Sequence, residues 1–167
     1  MNVPIRALAI TVSDRCARGE QTDVSGPVLA ELLTEAGAEV VDKLIVSDDL
    51  EPLTETLREY ASRDGVNLIV TTGGTGLAER DNTPEATRAV IERDAPGLSE
   101  AMRAASLQKT PLAMLSRGVC GTVNGTLIIN LPGSPKAVRE CFNVIKPVLQ
   151  HAVNLLGGEV AHETILL

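Results

Sequence analysis

"VNLIVTTGGTGLAERDNTPEAT", residues 66–87, decides how this chain folds. VNLIVTT reads as a buried strand. Glycines 73, 74 and 76 then make a bare turn around Thr75. Thr83 and Pro84 suit the cap and the first position of a following helix. A strand, a tight turn and a helix in immediate succession are the start of a parallel crossover unit. Glycine costs chain entropy on folding, so its repeated use here calls for a compensating gain.

The same alternation extends in both directions. IRALAITV, 5–12, is an apolar run with one charge and reads as a strand. SDRCARGEQTDVSG follows as a polar loop. Val28, Leu29, Leu32 and Leu33 have helical spacing, with Pro27 suiting the first turn and Gly37 the stop. AEVVDKLIV is a second strand, and Leu50, Leu53, Leu57 and Tyr60 mark the face of a second helix. Beyond the quoted stretch, TPEATRAVIERDAPG and LSEAMRAASLQ read as helices. Two strand-like runs then flank Asn124-Gly125, a strong hairpin signal. A long amphipathic helix closes the pattern, capped by Ser134, with Pro135 at its first position and a break or kink expected near Pro147. Val138, Phe142, Ile145, Val148 and Leu149 share its apolar face.

Alternating strands and helices imply an α/β fold: a three-layer sandwich with a mostly parallel sheet and helices on both faces. The hairpin adds one antiparallel element, so the sheet should be mixed. At 167 residues, 44% of them hydrophobic, the chain is expected to be a single domain spanning 1–167. Tyr60 and Phe142 are its only aromatics, so the core is aliphatic. The net charge of −7, without like-charge blocks, argues against nucleic-acid or anionic-membrane partners. Nothing is apolar for long enough to span a membrane, and no signal peptide is apparent. Cys16, Cys120 and Cys141 are widely spaced, as expected of reduced cytoplasmic thiols. His151 and His162 lie outside every motif and are expected to be structural or surface residues.

In such sheets ligands bind at the carboxyl ends of the strands. Four loops should gather there: Ser13-Asp14, Ser47-Asp48-Asp49, residues 73–81, and Pro132-Gly133-Ser134. The glycine loop suits a nest of backbone N–H groups around an anion, with the Thr75 hydroxyl as a further donor; a plain tight turn needs the same residues. No lysine follows, which excludes a P-loop. Asp81 beside such a nest, with Asp48 on a neighbouring loop, suits magnesium, which is usually held by one or two carboxylates and substrate phosphates. Ser134 and Pro135 present a helix N-terminus suited to phosphate, with Lys136 and Arg117 as added charge. An ordinary capped helix has the same sequence.

TVSDR, TTGGTG, RDNTPEAT, PGLSEAMR, LSRGVCG and TLIINLPGSPKAVREC together resemble the molybdenum-cofactor biosynthesis family that includes the molybdopterin adenylyltransferases and the equivalent domain of gephyrin. The resemblance runs over about residues 5–156 and rests on the motifs occurring in order. It implies a compact α/β domain that forms a homotrimer. It implies transfer of AMP from ATP to the terminal phosphate of molybdopterin, with release of pyrophosphate and use of Mg2+, followed by a downstream molybdate-inserting protein. Carried over by position, it makes Asp81 and Asp48 the catalytic and metal-holding carboxylates, with Asp49 leaving the register open by one. Ser13, Asp14, Thr72, Gly73, Gly74, Thr75, Gly76, Thr83, Ser116, Arg117, Pro132, Gly133, Ser134 and Pro135 become the nucleotide and pterin contacts. A paralogous branch of doubtful activity has lost parts of the RD-x-TP segment, which this chain keeps as Arg80, Asp81, Thr83 and Pro84. A silent pterin-binding or scaffold module is the alternative.

Overall fold

The computed structural model describes residues 2–159. Its strands are β1 (Arg6–Val12), β2 (Glu39–Val46), β3 (Leu68–Thr72), β4 (Arg93–Asp94), β5 (Cys120–Val123) and β6 (Thr126–Leu131). They form one sheet in the order β2-β1-β3-β6-β5-β4. β2, β1, β3 and β6 pair in parallel, while β5 runs antiparallel to both of its neighbours. The mixed sheet with one antiparallel hairpin is as the sequence implies. Asn124 and Gly125 both adopt positive φ, +50° and +76°, as a two-residue hairpin turn requires.

The helices are α1 (Asp14–Ala17), α2 (Ser25–Glu35), α3 (Leu50–Ala61), α4 (Thr83–Arg88), α5 (Pro96–Leu107) and α6 (Pro135–Leu156), with a 3₁₀ segment at Pro111–Leu115. Two aliphatic clusters sandwich the sheet. One packs α2, α5 and α6 on Ala7, Ala9, Val70 and Ile129; the other packs α3 and α4 on Leu8, Ile10, Ile69 and Ile128. Alternate residues of β1, β3 and β6 thus face opposite layers. These strands are buried along almost their whole length, which is why they read as continuous apolar runs. β2 is an edge strand, and Val41 and Ile45 are exposed on it.

Five local expectations are corrected. The helix after the glycine loop ends at Arg88, and Arg93–Asp94 within the expected helical stretch pairs with β5 instead. Asn82, not Thr83, occupies the cap position of α4, because the Thr83 hydroxyl donates to Gly73 O at 2.9 Å. The polar loop after β1 contains α1, capped by Ser13, whose Oγ accepts from Cys16 N. α6 runs through Pro147 as one assigned helix. Proline there removes one donor, but Phe142, Ile145 and Leu149 hold the helix to the core on both sides. Val148, assigned to the same face, is exposed. The three cysteines are free thiols, and burial raises the pKa of Cys120 and Cys141. His151 is half-buried on α6; His162 lies outside the described residues.

Candidate functional site

The parallel strands β2, β1, β3 and β6 end on one edge, and the four loops meet there. Asp14 and Asp48 fasten the first two loops reciprocally. Asp14 N donates to Asp48 Oδ2 at 2.8 Å, and Asp48 N donates to Asp14 Oδ1 at 3.0 Å. Arg80 clamps both Asp14 oxygens and also reaches Asp49 at 2.9 Å. These bonds set opposite pKa directions. The amide of Asp48, with help from Arg80, holds Asp14 below the ordinary carboxylate range. Burial pushes Asp48 up, and the nearby charges of Asp14 and Asp81 add to the rise.

This geometry separates the two neighbouring aspartates. Asp48 faces the glycine loop: a Cβ added to Gly74 would sit 3.3 Å from its Oδ1. Asp49 points outward to Arg80 and Ser47. Asp81 lies against the same loop at Gly76, with Oδ2 accepting from Ala78 N at 3.1 Å and lying 2.8 Å from where a Gly76 Cβ would be. Asp48 Oδ1 and Asp81 Oδ1 have no hydrogen-bond donor among the described residues. Two carboxylates flanking one phosphate-sized turn suit a hard divalent cation. No group of three or more His, Cys, Asp or Glu among the described residues could hold a metal alone. Substrate oxygens would have to complete its shell, which is the usual arrangement for magnesium.

The glycine turn needs glycine on steric grounds. Gly73 and Gly74 have φ of +96° and +66°. A Cβ at Gly73 would overlap Val12 O, and one at Gly74 would overlap the Thr83 hydroxyl. The expected nest is only partly free, because Gly73 N donates to Leu131 O at 3.2 Å. The amides of Gly74, Thr75 and Gly76 have no acceptor among the described residues. Thr75 itself is buried.

Arg117, expected as a phosphate contact, fastens this loop. Its N donates to Thr75 O at 2.8 Å, its Nε to Gly76 O at 2.7 Å and its Nη2 to Asp81 O at 2.6 Å, and Nη1 pairs with Glu85. The paired guanidinium lowers the Glu85 pKa. Thr72 and Thr83 are also committed to the backbone, at Pro132 O and Gly73 O. They shape the site through its loops.

On the α2 and α6 side of the sheet edge lies a recess of about 370 Å³, lined by Ser13, Asp23, Ser25, Thr72, Gly73 and Ser134 among others. Ser134 caps α6 by accepting from Ala137 N at 3.2 Å, with Pro135 in the first turn, as the sequence indicates. Gly133 lies against Gly73, bringing the last loop onto the first glycine. Ser116 and Pro132 line a second cavity on the far side of the α6 start, its surface mostly apolar although Ser, Thr, Asn, Arg and Glu side chains also border it. Lys136 is exposed.

Sequence reasoning missed Asp23 and Ser25. Asp23 Oδ1 accepts from Gly26 N and its Oδ2 from Thr11 Oγ1, while Ser25 Oγ donates to Gly133 O. The signal was available: an aspartate just before a helix start suits a side-chain acceptor for a first-turn amide, here that of Gly26. Arg80 and Asn82, the latter donating to Asp48 O, were likewise missed as fasteners.

A family model described as "Probable molybdopterin binding domain" matches residues 8–151. The chain belongs to this family. The "Molybdopterin adenylyltransferase" of Helicobacter pylori strain J99 is 40% identical over 151 residues, covering 89% of this chain and 86% of that protein. The "Molybdenum cofactor synthesis protein cinnamon" of Drosophila melanogaster is 46% identical over 154 residues, 91% of this chain; the chain spans only 26% of that larger protein. Among solved structures, the molybdopterin biosynthesis enzyme MoaB of Thermus thermophilus superposes with a TM-score of 0.87 at 48% identity, covering 92% of this chain and 97% of that one. The α/β fold with its mixed sheet is the fold of this family.

Proposed function

We propose that this protein is a molybdopterin adenylyltransferase that transfers AMP from ATP to the terminal phosphate of molybdopterin and releases pyrophosphate. The single observation that carries the reading is the pair of partly unpaired carboxylates, Asp48 and Asp81, flanking a glycine loop with free amides. Relatives of that name, 40% identical over most of the chain, support it.

In this reaction a phosphate oxygen of molybdopterin attacks the α-phosphorus of ATP. The new P–O bond forms as the bond to the bridging oxygen breaks, and the electron pair leaves with pyrophosphate. The nucleophile is already ionised at neutral pH, so no protein nucleophile is needed. That fits a chain whose two histidines lie outside every sequence motif, with His151 on α6. Catalysis rests on positioning and charge stabilisation. Asp48 and Asp81 would hold Mg2+, which when bound neutralises triphosphate charge. The amides of Gly74, Thr75 and Gly76 hold phosphate oxygens. The recess beside Ser13 and Ser25 takes the nucleoside. The start of α6, with Ser134, takes the pterin phosphate. Asp14, Arg80 and Arg117 keep the loops in place.

A homotrimer in the cytoplasm, handing its product to a molybdate-inserting protein, completes the proposal. No described helix is long and apolar enough to cross a membrane. Light scattering at micromolar concentration should give three times the 17.6 kDa chain mass; a monomer would overturn the assembly. The retained RD-x-TP residues favour an active enzyme over a silent binding module. The test is transfer of labelled AMP from ATP to isolated molybdopterin: a bound but unmodified pterin would favour the module.

A further inference from the structure

Where α5 begins against the middle of α6 there is an open groove of about 430 Å³. Pro96, Leu98 and Ala101 border it from α5, and Val144, Ile145 and Val148 from α6; every side chain on its walls is apolar. Val148 is 46% exposed there. A stripe continues from the groove toward the end of α6. Val144, Val148, Ala152 and Leu155 are three or four residues apart and so lie on one face of the helix. Leu155, the last of them, is 50% exposed. Exposed large apolar side chains in line with an apolar groove mark a surface that something covers. The end of α6 then redirects the chain. Gly158 has a φ of +80°. Its N donates to Leu155 O at 3.2 Å, and Glu159 N donates to Asn154 O at 3.0 Å. These paired bonds are the glycine cap that closes a helix and takes the chain off its axis. Residues 160–167, VAHETILL, follow that cap.

We infer that residues 160–167 fold back along this stripe of their own chain and that Ile165 and Leu166 fill the groove at the start of α5. The inference is independent of the adenylyl-transfer reading. Length supports it. Val148 and Val144 stand eleven and fifteen residues before Glu159, about 16 and 22 Å back along the axis at about 1.5 Å per residue. Ile165 is six residues past Glu159, and an extended chain gains about 3.3 Å per residue, so it reaches about 20 Å. It comes level with the groove. Composition supports the same register. Val160-Ala161 come level with exposed Leu155, the polar His162-Glu163-Thr164 pass half-buried His151 and Ala152, and the apolar Ile165-Leu166-Leu167 arrive where the walls are wholly apolar. The start of α5 adds a polar reason. It has no side-chain cap and no acidic residue in its first turn. First-turn amides lack partners within their own helix, and the carbonyls of an extended segment laid beside them are acceptors.

The experiment follows amide hydrogen exchange and mass by light scattering in the full chain and in Ile165→Asp, Val148→Lys and the two combined, with melting temperatures to confirm folding. Neither position belongs to the two buried clusters of the sheet, so the variants should fold. Ile165→Asp should speed exchange at Leu98–Ala101 and Val148–Leu155 by at least about fivefold, because exchange reports local opening. The glycine loop and the mass should not change. Val148→Lys should speed exchange at the same amides. The combined variant should regain about half of the lost protection, because the two new charges attract each other when the segment lies in the groove and not otherwise. Exchange in Ile165→Asp equal to the parent's overturns the inference. So does a combined variant no better protected than the single ones, which would mean that the two positions do not meet. A fall in mass in Val148→Lys alone would show a second copy covering the groove. A fall in mass in both single variants would show the segment joining one copy to another. Either result overturns its placement on its own chain.

Discussion

Replacing Asp81 with Asn removes one charge at the glycine loop and little else. The amide oxygen can still accept from Ala78 N, the bond that Oδ2 makes at 3.1 Å. Arg117 holds this segment through the carbonyl of Asp81, which the substitution leaves in place. Exchanging a charge-assisted for a neutral hydrogen bond should cost no more than about 1 kcal/mol. That corresponds to a fall in melting temperature of about 2–4 °C for a chain of this size. Relief of the repulsion between Asp81 and Asp48 offsets part of the loss. Turnover should respond on another scale. Removing one well-placed electrostatic group from a transition state costs about 100-fold, or 2.7 kcal/mol. The assay follows pyrophosphate release from ATP and molybdopterin, with molybdopterin affinity measured on the same preparation. A fold-intact variant with turnover within about threefold of the parent would refute the assignment of the metal site to Asp81. Parallel loss of pterin affinity and turnover would make Asp81 a substrate contact and break the proposed division of labour among the loops.

Asp48→Asn tests the second carboxylate through pH. Burial and like charges raise the folded pKa of Asp48, so the folded state binds its proton more tightly than the unfolded state does. The contribution of Asp48 to stability is therefore greatest at acid pH and falls as pH rises through the interval between the two pKa values. In magnesium-free buffer at pH 7, Asp48→Asn should melt at or above the parent temperature while losing turnover, and the stability gain should vanish in acid; a large destabilisation at pH 7 would make Asp48 structural. Gly74→Ala should be destabilised by at least about 1–3 kcal/mol, because φ is +66° and the new methyl meets Thr83; a melting temperature equal to the parent's would contradict the loop geometry.

The elements were legible because the physics that forms them is local. β1, β3 and β6 are buried on both faces, so their apolar runs announced them. Asn124-Gly125 announced the hairpin by the positive φ it must adopt. The misreadings occur where tertiary contacts win. Thr83 looks like a helix cap, but Gly73 O competes for its hydroxyl. Arg93–Asp94 continues a helical pattern, but β5 offers it backbone partners. The glycines and aspartates of the site stand at strand ends, and topology alone was enough to gather them. What the sequence could not reveal is which polar groups are already spent. Arg117 reads as charge for a phosphate, and only the structure shows its N–H groups donating to three neighbouring carbonyls.

The most direct test combines the purified protein with isolated molybdopterin, α-labelled ATP and Mg2+ under anaerobic conditions, and identifies the products. The account predicts labelled AMP covalently attached to the pterin phosphate, one pyrophosphate released per AMP transferred, and loss of both when Mg2+ is chelated. Molybdopterin bound but recovered unmodified, with no pyrophosphate above background, would contradict it.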